Sequence, residues 1–94
     1  MEEKFKELQM QLINDITCTE TIISQIKDLV VYLKLGPKFF RELELTTATL
    51  QELLKRTTET LDPKHLEQFS LSTRQVRMMA KDLLKICKKN MCSA

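Results

Sequence analysis

Helix-breaking residues stand at only two places in this chain, Gly36-Pro37 and Pro63. The lone glycine and both prolines are used there, so three long stretches run without interruption. Sheets need a tight turn every few residues and far more turn-forming positions than this. The punctuation confines the chain to a few long helices joined by short connections.

The first stretch carries the pattern such a helix requires. Phe5, Leu12, Ile26 and Leu33 fall in one heptad column, and Ile16, Ile23 and Val30 in the other. Alternating steps of four and three residues keep these side chains on one face. The pattern predicts a helix over about residues 3–35, roughly 50 Å long. Leu8, Ile13, Ile22 and Leu29 flank the columns, widening the stripe enough to meet two neighbours. A rod of that length cannot shelter its own stripe, so the other 59 residues are expected to fold back along it.

Gly36 suits the left-handed turn that ends a helix, and Pro37 suits the first position of the next. A second helix is predicted over about residues 37–61, with Phe39, Leu43, Leu50, Leu53 and Leu54 inward. Thr46, Thr47 and Thr57 share that face and are expected at the edge of the seam. Asp62-Pro63 then reads as N-cap and first helical residue of a third helix, over about residues 63–89. Its inner face is Leu66, Phe69, Thr73, Val76, Ala80, Leu83 and Cys87 in unbroken four-three rhythm. Against continuity, Ser72-Thr73-Arg74-Gln75 forms a capping box, and Leu71 with Val76 forms a hydrophobic staple. The two coincident local signals favour a kink near 70–72, with a short helix before it and fraying from Asn90 onward. The expected fold is all-α: an elongated up-down-up bundle of three long helices with coiled-coil-like packing, forming one domain over residues 1–94.

An antiparallel hairpin through Gly36 sets an expected register. It places Ile23 beside Leu50, Leu12 near Leu61, and Cys87 near Leu33. Residues before about Leu8 then overhang the second helix and leave Phe5 under-covered.

Composition narrows function by exclusion. His65 is the only histidine, and no nucleophile or carboxylate is fixed beside it by local spacing. Glu42 and Glu44 point to different sides of a helix, and a single glycine cannot build a phosphate loop. No enzymatic activity, cofactor, metal site or small-molecule substrate is expected. Three scattered cysteines suit a reducing compartment, with Cys87 in the core and Cys18 and Cys92 nearer the surface. The longest apolar run is Leu29 to Leu33, far short of a membrane span. The opening residues lack a signal-peptide profile, so the expected location is cytoplasmic or nuclear.

Two surface features remain. Val31, Tyr32 and Leu35 lie off the heptad columns, Phe39 and Phe40 cannot both point inward, and Ile86 and Met91 return to the same end. With overhanging Phe5, they predict an apolar patch that binds other protein subunits, as a hetero-complex or homodimer. The main expectation is thus a small helical subunit or adaptor. The second feature is electrostatic. Residues 63–94 hold seven basic against two acidic side chains, while residues 1–35 hold four against six. Arg74, Arg77, Lys81, Lys85 and Lys88 share an arc of about 80° on the last helix, which supports an alternative: binding of nucleic acid or an acidic partner.

Overall fold

A computed structural model describes residues 2–29 and 33–92. Three helices, α1 (Glu2–Asp28), α2 (Pro37–Glu59) and α3 (Pro63–Cys92), run up, down and up, and each packs against the other two. The bundle measures 54 × 20 × 17 Å. Its long dimension follows from α3, whose 30 residues rise about 45 Å. Its narrow section is one layer of side chains between three axes.

The core takes Leu12, Ile16, Ile23 and Ile26 from α1 and Phe39, Leu43, Leu50 and Leu53 from α2. From α3 it takes Leu66, Val76, Ala80, Leu83 and Cys87. Thr19, Thr46, Thr57 and Thr73 are buried among them, at the centre of the seam rather than its edge. Three of these hydroxyls solve their own burial problem: Thr19 donates to the Asp15 carbonyl, Thr46 to Glu42 and Thr73 to Phe69, at 2.7–2.9 Å. A hydroxyl bonded one turn back presents mainly its methyl group to the neighbouring helix.

The α-helical part of the first stretch ends at Asp28, short of the expected residue 35. Closure of the hairpin explains the difference. Gln9 Nε2 of α1 donates to the Thr57 carbonyl of α2 at 2.8 Å. Twenty residues before Thr57 is Pro37, and twenty after Gln9 is Leu29, so antiparallel pairing sets the start of α2 opposite Leu29. A helix reaching Leu35 would overshoot by about 9 Å, with Gly36 alone to bring the chain back. The last turn instead tightens, Leu29 N–H donating to Ile26 O three residues back at 3.1 Å. Leu33, no longer in phase with its heptad column, is 65% exposed.

α2 also ends early, at Glu59, because Thr60 is extended (φ −71°, ψ 146°). Leu61 therefore lies in the connection and is 90% exposed, well away from the expected place beside Leu12. Thr60 and Leu61 instead reach the level of Phe5 and border the same groove. Phe5 packs against the core edge, and the expected overhang of the first helix is absent. Asp62 caps α3, its carboxylate accepting the Lys64 N–H at 2.9 Å. Beyond it α3 is one uninterrupted helix through 70–72, not a short helix followed by a main one. Thr73, buried and bonded to Phe69, belongs to the core face, and Leu71 points outward instead of forming a staple. The unbroken inner rhythm from Leu66 to Cys87 outweighs the local capping signal, since a break would split the core face. Helical structure also runs past residue 89 to Cys92, and Asn90 donates to the Ile86 carbonyl at 2.8 Å.

Candidate interaction surfaces

The hairpin end of the bundle holds only part of the first group of expected binding residues, Phe40 and Met91. α1 and α3 are parallel, and Arg77 of α3 reaches Asp15 of α1 at 3.1 Å. Counting forward about 14 residues from each partner brings Met91 level with Leu29, close to where α2 begins. Leu33, Phe40, Ile86 and Met91 thus share this end, and all are exposed large apolar side chains. Phe40 is 44% exposed, and its neighbour Phe39 is in the core. One helical step of about 100° separates them, so the chain can bury only one. Phe39 therefore leaves the expected patch. Leu35 is half-buried against the core and forms an edge of this end, whereas Phe5, also half-buried, lies at the opposite end beside Leu61 and leaves the expected patch. Val31 and Tyr32 lie outside the described residues.

The second surface lies on α3. The core residues Val76, Ala80, Leu83 and Cys87 fix which side of the helix faces inward. Arg74, Lys81, Lys85 and Lys88 are exposed on the flank nearest α1 and make no ion pair among the described residues. Arg77 sits deeper, half-buried, and its Nη2 is held by Asp15 while its Nε is buried without an acceptor. Of the five stripe cations, Arg77 is thus an interhelical tie, and the other four project into solvent.

Two exposed apolar side chains border this stripe. Leu71 is 60% and Met78 is 63% exposed, seven residues apart on the outermost line of α3. Read as part of a staple, Leu71 is easily taken for a buried residue. Drawn on one continuous helix, it stands about 180° from the core centre, which is the signal that exposes it. Leu71 also closes one side of a groove of about 350 Å³ between α1 and α3, with Leu8, Leu12 and Leu66.

The remaining chemistry-bearing residues have structural surroundings. His65 is exposed in the first turn of α3. Its Nδ1 lies 3.1 Å from Thr60 Oγ1, its Nε2 4.0 Å from the Asp62 carboxylate, and its ring 6.0 Å from that of Phe69. Cys87 is fully buried, and that burial pushes its thiol above the ordinary value; Cys18 is exposed. Both are free thiols, and the Cys92 side chain lies outside the described residues. Among the described residues no group of three His, Cys, Asp or Glu side chains is placed to hold a metal ion. No helix there is long and apolar enough to cross a membrane. No protein-family model, curated protein or solved structure matches this chain.

Proposed function

We propose that this chain is a non-catalytic interaction module, a small helical subunit or adaptor that docks on other proteins in the cytoplasm or nucleus. The observation that carries the reading is the exposure of four large apolar side chains, Leu33, Phe40, Ile86 and Met91, near one end of a narrow bundle. Single exposed apolar residues are ordinary on any surface, whereas several large ones at the same level of a bundle offer a partner more apolar area than one face alone. Coiled-coil-like helix packing presents such an end as a rigid shape, since every helix is held by both others. Two free thiols, one sealed in the core, suit a reducing compartment.

The test is recovery of the tagged chain from its native cells at moderate salt, beside the double variant Phe40→Glu/Met91→Glu. Both positions are exposed, so helicity by circular dichroism should stay near wild type. The wild type should retain defined protein subunits and the variant should lose them. A variant that recovers every partner of the wild type would remove the hairpin end from consideration.

A further inference from the structure

The geometry points to a second docking site, on the face shared by α1 and α3, whose occupant is an acidic amphipathic helix of another protein. This goes beyond the hairpin-end reading: it uses none of the same side chains, and either surface can be lost alone. Charge complementarity selects the occupant. Arg74, Lys81, Lys85 and Lys88 span about 21 Å along α3, exposed and without ion pairs among the described residues. The one acid that reaches this stripe from α1, Asp15, is engaged by Arg77. The acids of α3 itself are Glu67, which lines the groove beside Leu71, and Asp82, one turn from Lys85. Four cations therefore face outward against two acids of their own helix, none of them in an ion pair among the described residues.

Leu71 and Met78 decide between ligand classes. A nucleic-acid backbone offers phosphates along its length and no surface for two exposed aliphatic side chains. A helix with an apolar seam and acidic flank matches both parts of this face. Its apolar seam would lie on Leu71, Met78 and the groove lined by Leu8 and Leu12, and its carboxylates would turn toward the lysines and away from Asp15 and Glu67, which also line that groove. The spacing of Leu71 to Met78 is one heptad, about 10 Å, which is the repeat such a seam presents. Two parallel helices with a groove between them accept a third element in line with their axes, completing a four-helix arrangement.

The experiment is selection from a displayed library of helices of about 18 residues, long enough to span the stripe, on the full chain at about 0.15 M salt. Selected sequences should combine a leucine-type seam with a net negative flank. Their affinity should fall about tenfold or more on Lys81→Glu/Lys85→Glu and on Leu71→Glu, and stay unchanged on Phe40→Glu. A peptide with its flank reversed to lysine should regain affinity for Lys81→Glu/Lys85→Glu. All substitutions are at exposed positions, and Lys81→Gln/Lys85→Gln gives a milder loss in the same direction if the reversal disturbs folding. Binders that ignore these substitutions, seams without acidic bias, or no enrichment would each overturn the assignment. So would a short DNA or RNA duplex that binds the stripe more tightly than any selected helix and ignores Leu71→Glu. Loss of binding on Phe40→Glu alone would return the selected helices to the hairpin end and end the case for this face.

Discussion

Four threonines occupy the centre of this core, and they do not cost the fold equally. Thr19, Thr46 and Thr73 each bond a carbonyl one turn back, whereas the Thr57 hydroxyl is buried with no partner among the described residues. An orphaned buried hydroxyl costs on the order of 1–3 kcal/mol. Thr57→Val keeps the branched shape and its rotamer preference while deleting that hydroxyl. It should raise stability in urea melts by about 1 kcal/mol, and Thr46→Val should stay within about half of that. Equal effects from the two variants would mean that the hydroxyls are equivalent. Cys87 gives a second residue-level outcome. Its buried thiol titrates above the unfolded value, so the folded state holds its proton where the unfolded state releases it. The Cys87 contribution is intact well below the ordinary thiol value of 9.0 and declines as pH rises through that value. Cys87→Ala should flatten the decline between about pH 8 and 9.5 while lowering stability at pH 7. Thr19 stands outside the heptad column as read from apolar residues, although it fills the vacant place there between Leu12 and Ile26. The isolation of Thr57 was not legible in the sequence, because it depends on which groups surround the hydroxyl.

The connections define the elements, and each rests on one residue. Gly36 has φ 95° and ψ 171°, a backbone region that side-chain-bearing residues rarely enter, and a Cβ there would meet nothing within 4 Å. Strain in Gly36→Ala is therefore purely conformational and should cost about 1–2 kcal/mol in equilibrium unfolding. A D-alanine introduced at the same position by chemical synthesis should restore most of the loss. If the L-residue is tolerated without cost, the positive φ is not required by the turn. At the other connection Asp62→Ala removes the cap on the Lys64 N–H and should cost about 1 kcal/mol. The three-helix order was readable from Gly36-Pro37 and Asp62-Pro63 because helix breakers act locally. The end of α1 was not, since periodicity continues through Leu33 while closure onto α2 forbids the helix to follow it. The capping box at Ser72 failed for the same reason in reverse: a sound local signal was overruled by a core face that runs through it. Among the surface residues, the basic stripe was legible from helical angle alone. Phe39's place in the core was legible from its spacing with Leu43 and Leu50, and Phe40's exposure follows from the step of about 100° between them.

At the scale of the molecule, charge separation makes the response to salt diagnostic. Residues 63–94 carry five more basic than acidic side chains, and four of their cations share an exposed flank without ion pairs among the described residues. In the free protein these groups repel one another across distances comparable with the screening length, about 10 Å at 0.1 M salt. Added sodium chloride should therefore stabilise the free chain, raising its Tm by a few degrees between about 0.02 and 0.3 M. A bound acidic helix reverses the sign, because the same cations then make attractive contacts that screening weakens. At about 100-fold excess over Kd such a ligand adds about 2.7 kcal/mol, or on the order of 10–20 °C for a domain of this size. That increment should shrink as salt rises even while the free protein becomes more stable, so the two melting curves converge. Chloride is the suitable salt, since sulfate strengthens apolar burial in both states and masks the difference. A free chain whose Tm falls with sodium chloride would show that attraction, not repulsion, dominates the α3 flank. The stripe would then be compensated within the fold and have no charge left to offer a partner.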